Sequence, residues 1–226
     1  MEQDQRLFLG CALGLFGIII ILMTWSFIYD ARHKFLSGTE TSLEEPSELP
    51  KPTLPPQRAT DPVAGSNDPK AVTITIFSDF SCPRCRLSEG EMIRAITEAK
   101  RPVRVVWRDL PLSSTSRETM LNALAGRCAH AQKKFWDLHD ALLSLKTVNE
   151  PGIREQASKL GMEMNTFTSC LEQGTYLQAI QKDVALAREH LITTPPTFFV
   201  GKQPAVSGYV SANQFKKLIQ QASNTP

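Results

Sequence analysis

Cys82 and Cys85 are separated by two residues, a spacing at which one helical turn brings two sulfur atoms together. With Pro83 and Arg84 between them, they form a Cys-Pro-Arg-Cys motif that suits a redox-active dithiol. A zinc site is one alternative, but tetrahedral zinc usually needs a second closely spaced pair of ligands, and the sequence has no such pair. A structural disulfide is another, although so short a loop gains little chain entropy. The motif therefore favours disulfide exchange, a reaction that needs neither a metal nor an organic cofactor.

A strand before the motif and a helix after it are expected to position the two thiols. Residues 71–77 are rich in β-branched side chains, which predicts a buried strand. Apolar residues then recur at roughly helical spacing, at Leu87, Met92, Ile93 and Ile96. Pro83 suits a first helical turn, because its missing N–H would be unpaired there. Cys82 should thus lie at a helix N-terminus, where free N–H groups and the Arg84 guanidinium favour a thiolate. We interpret Cys82 as the nucleophile and Cys85 as the resolving thiol.

The N-terminal part of the chain has the composition of a membrane anchor. Residues 7–28 are almost continuously apolar and uncharged, which is long enough to cross a bilayer as a helix. We predict a single-pass anchor at residues 1–30, since a cleaved signal peptide would have a shorter apolar core. The flanking Lys and Arg residues favour a cytoplasmic C-terminus by a narrow margin. Because stable disulfide chemistry needs an oxidising compartment, we instead predict a periplasmic or extracytoplasmic catalytic domain.

Residues 31–70 contain seven prolines among Ser, Thr and Glu, which predicts an extended, semi-rigid linker. The folded domain is predicted at 71–226. Its expected order is a strand, the Cys82 helix, a second strand at 103–109, a helical block at about 113–191, a hairpin at 197–206 and a closing helix at 212–222. This βαβ, helical block, ββα order predicts an α/β thioredoxin-like fold with an inserted helical subdomain. The net charge of +2 argues against a dedicated nucleic-acid-binding protein.

Three separated blocks, at residues 77–85, 128–139 and 195–200, resemble the DsbA-like thiol:disulfide oxidoreductases of the thioredoxin superfamily. The resemblance implies a monomeric or weakly associating enzyme that exchanges disulfides with protein substrates outside the cytoplasm. It also implies a membrane redox partner that reoxidises or reduces the enzyme.

The resemblance assigns supporting residues to the site and exposes two departures from the family pattern. Pro196, followed by Thr197, matches the family's cis-proline beside the active-site disulfide. Pro195 stands where the family usually has Thr or Val, and it cannot donate an N–H to a substrate. Ile76 occupies the place of a commonly buried acid that manages the proton of the resolving thiol. Asp79 is the nearest carboxylate, but we expect it to serve a turn or a helix cap.

The remaining cysteines and the histidines of the helical block have weaker assignments. Cys11 lies inside the apolar N-terminal run and is the natural unpaired cysteine. Cys128 and Cys170 are either a structural disulfide or two buried free thiols. No catalytic role is assigned to the histidines, which are expected to be surface or capping groups: His130, His139 and His190. Phe135 and Trp136 are expected in the core.

The leading functional hypothesis is disulfide donation to protein thiols through Cys82, with Cys85 resolving the mixed disulfide. A reductase or isomerase of the same fold is the first alternative. The second is a non-catalytic peptide-binding or assembly factor that retains the thioredoxin fold.

Overall fold

The computed structural model describes residues 22–26, 28–29, 57–113 and 116–222. Residues 22–26 and 28–29 are helical and belong to a unit separate from the one that begins at Pro50. In that second unit the described strands are β1 (Val63–Gly65), β2 (Val72–Ser78), β3 (Val103–Asp109), β4 (Thr197–Val200) and β5 (Val206–Ser207). The described helices are α1 (Pro83–Glu98), α2 (Arg117–Ala131), α3 (Phe135–Ser144), α4 (Glu150–Lys159), α5 (Met164–Gln173), α6 (Leu177–Glu189) and α7 (Ala212–Ala222).

The strands form one sheet in the order β1-β3-β2-β4-β5. The central strands β2 and β3 run parallel, joined by the crossover through α1, while β1, β4 and β5 add antiparallel to their neighbours. Helices α2 to α6 lie between β3 and β4 in the chain. The predicted α/β thioredoxin-like order with an inserted helical block is therefore confirmed.

Of the three apolar clusters that the described residues form, the two larger ones join the sheet to the helices. The first joins the sheet to α1 and α7 through Ile76, Met92 and Phe215. The second fills the helical block and reaches the active-site end of the sheet through Phe80 and Trp107, whose rings stack with centroids 4.9 Å apart. Because Phe80 lies two residues before Cys82, the packing of the helical block also fixes the entry to α1.

The buried face of α1 differs from the apolar set that the sequence indicated. Cys85, Glu89, Met92 and Ala95 are buried, whereas Leu87 and Ile93 are exposed. The inward residues follow the helical spacing i, i+4, i+7, i+10 from Cys85. An acidic side chain, Glu89, therefore lies on the core-facing side.

The boundary between linker and domain lies earlier than predicted. Residues 63–65, predicted as linker, form edge strand β1 and pair with β3. Gly65 has a φ of +87°, and a Cβ there would lie 2.4 Å from the Val103 carbonyl oxygen, so this edge requires glycine. A strand of three residues between Pro62 and Pro69 is too short to show an alternating pattern. It is a strand because its backbone pairs with β3.

The Pro151-Gly152 pair lies in the first turn of α4. Asn149 caps that helix by accepting the N–H of Gly152 at 2.9 Å. Proline is tolerated in a first turn, so the pair begins a helix here.

The predicted membrane span at 7–28 falls outside the described residues except at 22–26 and 28. Cys11 and residues 31–56 of the predicted linker lie outside them as well. Among the described helices, none has the length and apolar character needed to cross a membrane.

Candidate active site

Cys82 and Cys85 are joined by a disulfide at the N-terminus of α1, with their Cα atoms 5.2 Å apart. Cys82 is the N-cap residue and Pro83 the first helical residue, as the sequence predicted. The Sγ atom of Cys82 accepts the backbone N–H of Cys85 at 3.2 Å. The same N–H would stabilise a Cys82 thiolate once the disulfide is reduced.

The two sulfur positions differ in access. The Cys82 residue is 4% exposed and Cys85 is fully buried, while Arg84 between them is exposed. A substrate approaching the helix end therefore meets Cys82 and the Arg84 charge, with Cys85 behind them. This geometry suits an attacking thiol at Cys82 and a resolving thiol at Cys85.

The Pro195–Pro196 segment lies beside Cys82, and the peptide bond between the two prolines is cis. The Pro195 carbonyl oxygen lies 3.9 Å from the Cys82 Sγ atom. Gly208 donates its N–H to the Pro196 carbonyl at 2.8 Å, and the Thr197 hydroxyl donates to the Thr194 carbonyl at 2.8 Å. These hydrogen bonds hold the Pro195–Pro196 segment in place, one between the residues on either side of it and one to Gly208, just after β5.

Asp79 holds the turn between β2 and α1, as expected. One carboxylate oxygen accepts the N–H and the hydroxyl of Ser81, at 2.7 and 2.6 Å. The other accepts the N–H of Leu112, at 2.6 Å, beyond the end of β3. The Asp79 carboxylate therefore stabilises the turn and makes none of these hydrogen bonds to a cysteine. Ile76 is fully buried and places no ionisable group in the strand beneath the motif.

Sequence reasoning missed a buried acid-imidazole pair formed by Glu89 of α1 and His139 of α3. The Oε2 atom of Glu89 lies 2.7 Å from the Nε2 atom of His139, and its Oε1 atom accepts the Ser78 hydroxyl at 2.5 Å. The expectation that His139 is a surface or capping group is wrong, since it is 2% exposed. Glu89 could have been found by its position four residues after Cys85, on the same helical face.

The pair makes the imidazole unusually basic. Burial by itself would lower the pKa of His139, but hydrogen bonds to Asp140 and Glu89, together with their negative charges, outweigh it and raise the pKa from 6.5 to about 9. His139 is therefore an imidazolium at neutral pH. It lies among the rings of Phe80, Trp107, Phe135 and Trp136.

Cys128 of α2 and Cys170 of α5 are joined by a second disulfide, with Cα atoms 6.0 Å apart. It lies at the edge of the helical-block core, to which Cys128 belongs and against which Cys170 packs. Phe135 is buried in that core, and Trp136 is half-buried against it. Of the two alternatives for Cys128 and Cys170, the structure therefore has the disulfide, and it lies in the helical block and not at the Cys82 site.

A buried network of arginines and aspartates ties the segment just before β1 to β3, α2 and α6. Arg127 binds Asp109 and Asp183, each at 2.5 Å, and Arg108 binds Asp61 at 2.8 Å. Burial, as the largest effect, raises the pKa of Asp183, and the nearby Asp109 charge raises it further. Asp109 also accepts the indole N–H of Trp107 at 2.9 Å, which connects the network to the stacked rings under the motif.

Within the part of the chain that the structure describes, three or more His, Cys, Asp or Glu side chains do not converge on any point that could hold a metal ion. The candidate site therefore consists of the cysteine pair, the Pro195–Pro196 segment and the Glu89–His139 pair.

A family model described as Thioredoxin matches residues 57–221. Among curated proteins, the Na(+)/H(+) antiporter NhaA 3 of Salinispora tropica is 32% identical over 130 residues, which are 57% of this chain and 20% of the antiporter. The chain thus spans about a fifth of the length of that relative. The Disulfide bond formation protein D of Bacillus subtilis is 23% identical over 171 residues, covering 70% of this chain and 75% of that protein.

Among solved structures, a thioredoxin-like oxidoreductase from Silicibacter pomeroyi matches with a TM-score of 0.66 and 26% identity. The match covers 75% of this chain and 95% of that one. Because the match covers almost all of the Silicibacter pomeroyi protein, the two proteins share the helical block as well as the sheet.

Proposed function

Because the chain belongs to the thioredoxin family, as a DsbA-like oxidoreductase with a Cys-x-x-Cys site, we propose that it donates disulfides to protein thiols outside the cytoplasm. The position of Cys82 carries this proposal. It caps α1, is bonded to Cys85, and faces the Pro195 carbonyl.

The exchange proceeds through a mixed disulfide. A substrate thiolate attacks the Sγ atom of Cys82, the Cys82–Cys85 bond breaks, and Cys85 leaves as a thiolate that takes up a proton. A second substrate thiolate then attacks the substrate sulfur of the mixed disulfide and releases Cys82 as a thiolate. The substrate dithiol loses two electrons, and the enzyme dithiol holds them.

The surroundings of Cys82 favour donation over reduction. The helix N-terminus and the exposed Arg84 charge both stabilise a thiolate, and thus the reduced enzyme. A stabilised reduced form makes the disulfide a stronger oxidant. A reductase or isomerase of the same fold would instead be kept reduced by an electron donor.

The proposal places the catalytic domain on the periplasmic or extracytoplasmic side of a membrane. Residues 7–28 would anchor it and a membrane redox partner would reoxidise it. The geometry of the second cysteine pair, Cys128 and Cys170, allows a structural disulfide, and such bonds persist in oxidising compartments. The name of the Bacillus subtilis relative, which refers to disulfide bond formation, supports the same location.

The test combines a trapping variant with a redox titration. In the full chain, Cys85→Ala leaves a Cys82 thiolate that can attack a substrate disulfide but no Cys85 thiol that can release the bound protein, so mixed disulfides with substrate proteins should accumulate on non-reducing gels. Cys82→Ala is the matched control and should trap none, because Cys85 is buried. Failure of Cys85→Ala to trap any protein would favour the non-catalytic binding factor.

Equilibration of the full chain with glutathione then decides the direction. Disulfide donation predicts a potential of about −200 mV or higher for the Cys82/Cys85 couple. A value near about −270 mV would favour a reductase, and one below about −300 mV would make the pair a structural disulfide.

A further inference from the structure

The buried Glu89 carboxyl group lies one helical turn beyond Cys85. Residues four apart on a helix have Cβ atoms about 5–6 Å apart, and helical side chains tilt toward the N-terminus of their helix. The side chain of Glu89 is therefore directed back over the turn that contains Cys85. Both residues are fully buried on the core side of α1.

His139 connects this carboxyl group to the surface. Its Nε2 atom lies 2.7 Å from Glu89 Oε2, and its Nδ1 atom lies 2.8 Å from Asp140 Oδ1. The Asp140 side chain is 70% exposed. A continuous series of hydrogen-bonding groups thus leads from the buried carboxyl group, through the imidazole, to solvent.

Disulfide exchange requires a proton to reach or leave Cys85. As a leaving group Cys85 departs as a thiolate in a buried environment, and as an attacking group it must first lose its thiol proton. Water cannot supply the proton directly, because Cys85 has no exposed surface. Ile76 is apolar and carries no proton. The Asp79 carboxylate accepts hydrogen bonds from Ser81 and from the Leu112 N–H, and neither of these partners can resupply it with a proton, whereas Glu89 is bonded to an ionisable imidazole.

We propose that Glu89 and His139 form a proton relay for Cys85, and this rests on the proposed disulfide exchange. When the Cys82–Cys85 bond breaks, the proton held between the imidazole and the carboxylate passes through Glu89 to the Cys85 Sγ atom. His139 is left neutral and regains a proton from solvent on the Asp140 side. In the reverse step the Cys85 thiol gives its proton to Glu89, its thiolate attacks Cys82 Sγ, and the mixed disulfide opens.

The groups around His139 favour proton transfer along the path from Asp140 through His139 to Glu89. The charged groups that face the imidazole are Glu89 of α1 and Asp140 of α3. Strand β2 contributes the neutral Ser78 hydroxyl, which donates to the Glu89 carboxyl group. The rings of Phe80 and Trp107 pack against the imidazole, and the Asp109 carboxylate lies beyond the Trp107 indole N–H. These rings shield the imidazole from water on the sides away from Asp140.

The test follows the reduced full chain while glutathione disulfide oxidises it. Acid quenching and mass spectrometry separate the dithiol, the glutathione adduct on Cys82 and the closed disulfide. The amounts of the three species give two separate rates, one for the attack of Cys82 on glutathione disulfide and one for the later attack of Cys85 on the Cys82 adduct. Glu89→Gln keeps the size of the side chain but cannot take up the thiol proton.

In Glu89→Gln the attack of Cys85 on the Cys82 adduct, which closes the disulfide, should slow at least tenfold at pH 6. The difference from wild type should shrink at high pH, where a larger fraction of Cys85 has already lost its proton before it attacks. Adduct formation by Cys82 should be unchanged. Glu91→Gln is the matched control, because Glu91 lies on the same helix and binds Arg94 and the Ala212 N–H instead. It should leave both steps unchanged at every pH.

A closing step with the wild-type pH profile in Glu89→Gln would overturn the relay alone. If the wild-type chain forms neither adduct nor disulfide, the proposed function fails as well. Should Glu89→Gln not fold, histidine-labelled wild-type protein decides by NMR, with His139→Gln used to assign the signal. The relay predicts different titration midpoints for His139 in the oxidised and reduced chains, and identical midpoints would overturn it.

Discussion

The Pro195 carbonyl oxygen lies 3.9 Å from the Cys82 Sγ atom, although 113 residues separate the two in sequence. The backbone beside the nucleophile therefore offers a substrate an acceptor. It offers no donor at this residue, because proline has no N–H.

Restoring that donor should tighten substrate binding. Pro195→Thr adds one N–H beside Cys82, and one hydrogen bond contributes about 1 kcal/mol, or about a fivefold change in affinity. We expect the KM for a dithiol peptide to fall about fivefold with little change in kcat, measured by steady-state oxidation. Pro204→Thr makes the same exchange in the loop between β4 and β5, away from the cysteines, and should leave the KM unchanged. Equal KM values for both variants would refute a missing donor.

Removing the charge between the cysteines should weaken the oxidant. Arg84→Gln takes a cation from the first turn of α1, so the Cys82 thiolate loses stabilisation. The equilibrium with glutathione should shift toward the enzyme disulfide by a few fold, since an exposed charge near a helix terminus contributes about 0.3–1 kcal/mol. Lys100→Gln, which removes an exposed charge just beyond the other end of α1, is the control. A shift of the same size in both variants would contradict a local effect.

The Glu89–His139 pair should make the stability of the fold depend on pH. The folded pKa of His139 is about 9, above its ordinary 6.5, so its contribution is complete below pH 6.5 and is lost as the pH rises through 9. The free energy of unfolding should fall by up to about 3 kcal/mol across this window, measured by urea denaturation of the oxidised chain.

His139→Gln should flatten that pH dependence, whereas His190→Gln should retain it. A slope that survives in His139→Gln would assign the effect to another group.

Removal of one charge from the buried Arg–Asp network should lower the free energy of unfolding substantially. Asp183→Asn leaves Arg127 and Arg108 short of a buried counter-charge, and breaking such a pair costs about 3–5 kcal/mol. Asp137→Asn breaks the exposed pair with Lys134 and should cost less than about 1 kcal/mol. Urea denaturation at neutral pH measures both. A small effect of Asp183→Asn would show that the network is dispensable for stability.

The Cys128–Cys170 disulfide should stabilise the helical block without taking part in exchange. Its cysteines are 42 residues apart, and a loop of that length gains about 4 kcal/mol from reduced chain entropy in the unfolded state. Replacing both with alanine should lower the free energy of unfolding by roughly that amount. The potential of the Cys82/Cys85 couple should stay the same, and a changed potential would point to a regulatory disulfide.

Local sequence patterns determined most of the elements and the reactive pair. Strand β3 and helix α7 have the predicted bounds, because each carries an apolar pattern with a clear stop on either side. The position of Cys82 at a helix end follows from Pro83 and the preceding strand, which are adjacent in the chain.

Only the tertiary structure decided which distant polar groups meet. Glu89 and His139 are 50 residues apart, and nothing in either helix indicates that their buried faces converge. Strand β1 likewise exists through its pairing with β3 and the burial of Asp61 against Arg108. A local pattern shows which residues share a face, whereas a pairing depends on how separate elements pack. The reactive thiols could therefore be predicted from the sequence, and the groups that surround and supply them could not.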